Sequence, residues 1–221
     1  MRPAAGGGRW VAVAPERIDR WLAGFADRHG EVTEERAADL VRVVGADGAV
    51  AEIHVPYPPL HGPLVAHCLA ERRVGVLLVR LGGYAAGVFE GPRLVSSKVG
   101  SRPVHGRSAA GGWSQQRFAR RRAGQSAVAL SAAADAAVRI LLPATLSAVV
   151  LGGDRTALDG VLADPRLASL RPLVTGRIMD VPDPRLTVLR SAPFRDVWIR
   201  IRDPDDGPGT ARDPLPAQPG S

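Results

Sequence analysis

The feature that most constrains the fold is a succession of three apolar runs, Val74 to Arg80, Tyr84 to Phe89 and Arg93 to Val99, separated only by Gly82-Gly83 and Glu90-Gly91-Pro92. Short apolar runs joined by tight turn residues predict a meander of three antiparallel strands. After the meander the pattern breaks. Gly100 to Gly112 contains four glycines, Pro103 and little apolar content, which predicts a mobile loop over 100–114. From Ser114, a candidate N-cap, a long helix is expected, with Ala123, Ala127, Leu130, Ala134, Ala137 and Leu141 on one face until Pro143 stops it.

The flanking sequence extends this pattern. Trp10 to Val13 reads as a strand, and Pro15 followed by Ile18, Trp21, Leu22 and Phe25 reads as a helix ending near Gly30. Leu40 to Val44 and Val50 to Val55 flank Ala46-Asp47-Gly48 as a hairpin, and a second helix is predicted from Pro63 to Arg73. Beyond the long helix, Leu146 to Leu151 is a buried strand, and Gly152-Gly153-Asp154 turns into a helix over Thr156 to Leu162. Short strands fit Leu186 to Leu189 and Val197 to Ile201. The order β-α-β-β-α-β-β-β-α-β-α-β predicts an α/β fold with a single mixed sheet flanked by helices, one domain over residues 1–202. Asp203 to Ser221 holds five prolines and three glycines and is expected to be a disordered tail.

Charge is distributed unevenly. The chain carries 29 basic and 22 acidic residues, a formal net charge of +7, and Lys98 is its only lysine. Abundant Arg, Ala, Gly and Pro are what a GC-rich genome encodes, so arginine content alone says little about a partner. Its placement says more. From Gly91 to Ala134 there is no Asp or Glu, while Arg93, Lys98, Arg102, Arg107, Arg117, Arg120, Arg121 and Arg122 supply eight cations. The remainder balances 21 cations against 22 acids, so the whole excess lies in this one segment, which points to a polyanionic partner there.

Several classes of chemistry fit poorly. Cys68 is the only cysteine, cannot form an internal disulfide, and sits in a Leu/Ala pattern that reads as a buried helix face. The first nine residues show no signal peptide, and the longest apolar stretch, Ala127 to Leu142, is interrupted by Ser131, Asp135 and Arg139, so no membrane span and a cytoplasmic location are expected. His54, His61, His67 and Cys68 do not make a zinc pattern, so no metal and no cofactor are expected. Gly82-Gly83 and Gly152-Gly153 lack the spacing of a P-loop or a dinucleotide fingerprint and read as turns. Ser114 lacks the Gly-x-Ser-x-Gly elbow of a serine hydrolase. Glu34-Glu35 reads as a helix start, and Asp205-Asp206 belongs to the tail.

The informative stretch runs from His105 to Arg122, a glycine-rich loop entering a helix whose first turns carry four arginines. Backbone N–H groups at a helix start favour anions, arginines add bidentate phosphate contacts, and paired glycines allow close approach to a substrate. Gly111-Gly112-Trp113-Ser114-Gln115-Gln116-Arg117-Phe118-Ala119-Arg120-Arg121-Arg122 resembles the segment around the Gly-Gly-Gln motif in the middle domain of eukaryotic and archaeal class I peptide release factors. There, Gly-Gly-Gln-Ser is followed two residues later by Arg-Phe-Ala-Arg. Gly111, Gly112, Ser114, Arg117, Phe118, Ala119, Arg120 and Arg122 match in register. Gly152-Gly153 and Asp164-Pro165-Arg166-Leu167 are further similar to the Vms-like release factors of ribosome quality control, in their actinobacterial branch. The resemblance covers about Val74 to Leu173 and implies a ribonuclease H-like topology.

One departure matters. The glutamine of Gly-Gly-Gln is Trp113 here, and an indole cannot place an amide beside a water molecule. Vms-like members carry a Gly-Ser-Gln variant that Ser114-Gln115 resembles, which makes Gln115 the first candidate and Gln116 the second. The resemblance implies hydrolysis of the ester joining a nascent peptide to tRNA on stalled large ribosomal subunits, by a monomer whose partners are the large subunit and peptidyl-tRNA. Gly111, Gly112 and Ser114 would complete the catalytic loop. Lys98, Arg102, Arg107, Arg117, Arg120, Arg121 and Arg122 would hold RNA phosphates, and Trp113 would stack on an unpaired base. The loop has no carboxylate, and an activated ester needs mainly a positioned water and charge stabilisation. Two rivals stay open: a tRNA 3′-end nuclease of the same fold, using His105 with Lys98 or Arg102, and a non-catalytic RNA- or ribosome-binding module.

Overall fold

The computed structural model describes residues 2–4, 6–80, 82–101 and 114–204, with residues 2 and 114–126 described by their backbone alone. In chain order the strands are β1 (Arg2–Pro3), β2 (Arg9–Val13), β3 (Val32–Arg36), β4 (Leu40–Gly45), β5 (Val50–His54), β6 (Arg73–Arg80), β7 (Gly83–Glu90), β8 (Arg93–Ser101), β9 (Ala148–Gly153), β10 (Val174–Met179) and β11 (Val197–Arg202). The α-helices are α1 (Ile18–His29), α2 (Leu64–Leu69), α3 (Ser114–Leu141), α4 (Arg155–Leu162) and α5 (Leu186–Ser191), with 3₁₀ turns at Pro15–Arg17 and Pro165–Leu173. The elements divide into two compact units: Met1–Ala70 together with the segment from Arg195, and Glu71–Phe194.

The first unit is an antiparallel sheet of order β1-β2-β11-β5-β4-β3. Period-two alternation places Val41, Val43, Ala51, Ile53, Val197 and Ile199 on one face, where they form a core with Ile18 and Phe25 of α1 and Leu64 and Cys68 of α2. The helix begins after Pro15, whose fixed φ suits a first turn, and ends at Gly30 with φ +77°. At the β4–β5 hairpin the Asp47 carboxylate accepts the Ala49 N–H at 3.0 Å, and Gly48 takes φ +90°. His67 is tied by hydrogen bonds: its Nδ1 accepts the His61 N–H at 3.1 Å and its Nε2 donates to the Pro56 carbonyl at 2.8 Å.

The second unit is a mixed sheet of order β10-β9-β6-β7-β8. Strands β6, β7 and β8 form the antiparallel meander, and β9 and β10 run parallel to β6. This is the ribonuclease H-like order implied by the resemblance. Parallel neighbours need crossovers, and α3 supplies the one into β9 while α4 with the following 3₁₀ turn supplies the one into β10. Alanines let α3 approach closely: Ala133, Ala136, Ala137 and Leu141 are buried with Leu77, Val79, Ala86 and Val88 of the strands. The opposite face is also buried at Val76, Leu78, Ala85 and Phe89, with the Phe194 ring 4.4 Å from that of Phe89.

Several expectations change. The strands form two sheets rather than one, because β11 inserts between β2 and β5 and completes a sheet that shares no strand pairing with β6–β10. Glu34-Glu35 lies in β3 rather than at a helix start; this exposed edge strand is held by pairing to β4 and by the Glu34–Arg36 ion pair. Leu186 to Leu189 belongs to helix α5 rather than a strand, and β10 lies where no strand was expected. The second helix stops at Leu69, and Arg73 already opens β6. Ala127, expected on the buried face of α3, is exposed, and Ala129 is the first buried residue among the described side chains of that helix. The expected loop and tail lie outside the described residues except at their edges, where Gly100 and Ser101 belong to β8 and Ser114 opens α3.

Candidate functional site

The carboxyl ends of the parallel strands β6, β9 and β10 lie at one end of the second sheet, and antiparallel β8 also leaves the sheet there. In open α/β sheets this is the end at which ligands bind. The segment 102–113 departs from it. Its root is built by a close approach: Gly100 pairs with Tyr84 across the strands, and a Cβ on Gly100 would lie 2.4 Å from the Tyr84 hydroxyl oxygen. Tyr84 is only 9% exposed and packs in the same core as α3, so its ring closes over the last paired residues before the segment leaves.

The neighbouring loops are fastened at the same end. Arg80 Nη1 donates to the Val181 carbonyl at 2.5 Å and meets the Asp180 carboxylate at 3.4 Å. Pro184 lies 3.2 Å from where a Gly83 Cβ would be, which presses the β10–α5 connection against the β6–β7 turn. Gly153 ends β9 with φ +104°, and a Cβ there would stand 2.1 Å from the Val79 carbonyl oxygen. That same oxygen accepts the Asp154 N–H at 2.8 Å, and the Asp154 carboxylate caps α4 by accepting the Ala157 N–H at 2.8 Å. The glycine pair is thus a strand-to-helix turn.

Helix α3 carries the rest of the site. Its 28 residues span about 42 Å, some 15 Å more than the eight-residue strand β7 that it crosses. Leu141 sits at the opposite end of the sheet, 3.2 Å from where a Gly75 Cβ would be. The excess length therefore falls at the N-terminus, where Ser114, Gln115, Gln116, Arg117, Arg120, Arg121 and Arg122 occupy the first turns. A brace fixes the helix from below. Arg166 donates to Asp135 at 2.8 Å and to Asp164 at 2.7 Å, and Leu167 beside it is fully buried. The Asp164-Pro165-Arg166-Leu167 run thus holds α3 in position.

Electrostatics separate the two ends of the meander. At the β7–β8 turn, Glu90 is bound by Arg73 and Arg93, and Arg73 leads in holding its carboxyl below the usual range. Towards the other end, Lys98 is exposed opposite Ala86 and makes no ion pair among the described residues. The only acid on α3, Asp135, is engaged by Arg166. Lys98 and the α3 residues are thus placed on two elements that bracket the segment 102–113. Arg102, His105, Arg107, Gly111, Gly112 and Trp113 lie within that segment, outside the described residues. Sequence reasoning overlooked the Tyr84–Gly100 contact and the Arg166 brace; an aromatic directly after a Gly-Gly turn, opposite a lone strand glycine, was the available signal for the first.

Among the described residues, no three His, Cys, Asp or Glu side chains converge as a metal site, and no helix is long and apolar enough to cross a membrane. No curated protein matches the chain. The family model of the Actinobacteria/chloroflexi VLRF1 release factor matches residues 72–202, which takes in the whole second sheet, α3 and β11. The chain belongs to the Actinobacteria/chloroflexi VLRF1 release factor family, and its role is that of a release factor working with the ribosome.

Proposed function

We propose that this release factor hydrolyses the ester between a nascent peptide and the terminal ribose of tRNA, freeing chains from stalled large ribosomal subunits in the cytoplasm. The observation that carries the reading is the union of family membership with the Gly111-Gly112 pair and Gln115-Gln116 at the entry to α3. A helix extending past the sheet suits delivery of that entry into a confined centre. Gln115, with Gln116 as reserve, orients a water molecule against the ester carbonyl. Attack forms the C–O bond of a tetrahedral intermediate, whose collapse breaks the bond to the ribose oxygen; that oxygen takes up a proton and the peptide leaves as a carboxylic acid. An amide orients water without titrating, and preorganised N–H groups stabilise the developing oxyanion. Lys98, Arg102, Arg107, Arg117, Arg120, Arg121 and Arg122 neutralise phosphates of the acceptor end, with Trp113 against an unpaired base.

The test is to incubate the protein with large subunits carrying labelled peptidyl-tRNA and analyse both products. Intact tRNA and a peptide free of nucleotides are expected. A shortened tRNA with nucleotides left on the peptide would assign the site to RNA cleavage instead, and absence of any cleavage would make it a binding module.

A further inference from the structure

The first unit contains a groove of about 520 Å³ between α1 and the outer edge of β2. One wall is the backbone of Val11–Ala14. Strand β1 pairs only with Arg9 and Trp10, so among the described residues no strand covers Val11–Val13 on the side away from β11. The other wall is one face of α1 and the 3₁₀ turn that leads into it, where Arg17, Trp21, Gly24 and Arg28 follow at intervals of three or four residues with Arg20 alongside. Arg17, Arg20 and Arg28 are exposed, and none makes an ion pair or side-chain hydrogen bond among the described residues. Nearby acids do not neutralise them: Glu16 is held by Arg195, and Asp19 and Asp27 form no ion pair with them.

Gly24 sharpens the case. A glycine inside a helix costs about 1 kcal/mol relative to alanine. Here the fold gives no steric reason for it, since a Cβ would meet only Arg28 Nη1 at 3.9 Å. The missing side chain leaves a notch in the wall, flanked by a half-buried indole and three guanidinium groups that have no ion-pair partner among the described residues. Such a wall lets a sugar-phosphate backbone come close to the helix while arginines spaced along it reach successive phosphates.

We infer that the α1–β2 groove is a second RNA-binding surface, taking a single-stranded stretch of RNA by its phosphates, separate from the α3 entry. The inference rests on the ribosome-related role of the family and not on ester hydrolysis. An acidic peptide laid against the β2 edge is the competing occupant. Three arginines without an acidic partner among the described residues, together with the notch, favour the polyanion, and the experiment separates the two.

The experiment uses the full chain and a 20-nucleotide uridine RNA, with affinity measured by fluorescence anisotropy across a salt series. R17Q/R20Q/R28Q is expected to lower affinity at least about tenfold and to flatten the salt dependence by up to about two units of slope, as for three lost single-strand phosphate contacts. G24A keeps the folded state, with an unchanged or higher melting temperature because alanine favours the helix, yet weakens RNA binding by filling the notch. An unaltered slope in the triple variant, or wild-type affinity in G24A, overturns the proposal. So does retained RNA binding in the triple variant with lost binding of a poly-glutamate peptide, which would assign the groove to acidic peptides. Because no turnover is read, a chain that fails to cleave peptidyl-tRNA leaves this test intact.

Discussion

Substituting Gly100 by alanine tests how the segment 102–113 is rooted. The glycine is not at positive φ, so alanine brings no backbone strain and the effect is steric. Its Cβ would lie 2.4 Å from the Tyr84 hydroxyl oxygen, 2.5 Å from Cζ and 3.0 Å from Cε2, so the ring must move by about 1 Å or swing away. Moving it within the core invokes the cost of overpacking, about 1–3 kcal/mol. Swinging it into water forfeits burial of the ring, about 2 kcal/mol at the usual value per area. Both routes lead to a loss of about 2 kcal/mol in chemical denaturation. The contact is isolated by a double-mutant cycle with Y84A, in which adding G100A is expected to cost less than about 0.5 kcal/mol. An equal cost in both backgrounds, or a neutral G100A in the wild type, would refute the claim that the ring sets the glycine. Ester hydrolysis by G100A is expected to fall with stability held in excess, because the root of the loop shifts even where the fold survives.

Gln115→Ala should lower ester hydrolysis at least tenfold, about 1.4 kcal/mol of transition-state stabilisation, with binding to large subunits retained; loss in Gln116→Ala alone moves the role there, and indifference to both removes the glutamine mechanism. Arg120 and Arg121 replaced by Gln should flatten the salt dependence of RNA binding by up to about two units of slope, whereas an unaltered slope makes them a solvated face. Gly153→Ala combines a left-handed φ with a Cβ driven into the Val79 carbonyl and should cost more than about 2 kcal/mol in denaturant unfolding. Asp164 is held at a pKa of about 2, chiefly by its hydrogen bond from Arg166, against an ordinary 3.8. Because the pair is exposed, the stabilisation is small; it is complete above the ordinary value and lost as pH falls through about 2, and Asp164→Asn should remove that slight pH dependence.

Much of the second unit was readable because its elements are locally consistent. The meander has apolar runs and turn residues in phase, and the long helix has a clear stop at Pro143. The first unit was harder. Strand β3, Val-Thr-Glu-Glu-Arg, is exposed along its whole length, so no alternation marks it and only its pairing to β4 makes it a strand. In the second unit the exception is Leu186 to Leu189, a short apolar run for which strand and helix periodicity cannot be told apart; packing of Leu189 beside Gly87 accompanies the helix. The division into two sheets was hidden because sheet membership is a long-range property. Val197 meets Val13 across more than 180 residues of chain, and nothing local in Val197 to Arg202 distinguishes an insertion beside β2 from an addition to β10.

The site divides along a different line. What sequence conveyed was the basis of the proposed chemistry: the acid-free run from Gly91 to Ala134, the paired glycines Gly111-Gly112 and the glutamines Gln115-Gln116 that follow them. What structure adds is leverage. Thirteen residues of α3, Ala129 to Leu141, include the buried positions among its described side chains and bind it to the sheet, while Gln115 to Arg122 occupy the first turns at the other end. A helix held at one end can present its other end outward only if the held end resists rotation. Burial of alanines alone is a smooth contact, and the Arg166 link to Asp135 adds a directional one. Exposed ion pairs contribute little to stability, so this brace matters as a geometric stop rather than as an energy. On that reasoning Arg166→Ala should leave the denaturation midpoint nearly unchanged but lower ester hydrolysis. A variant that lost both stability and activity in proportion would show instead that Arg166 serves only the fold.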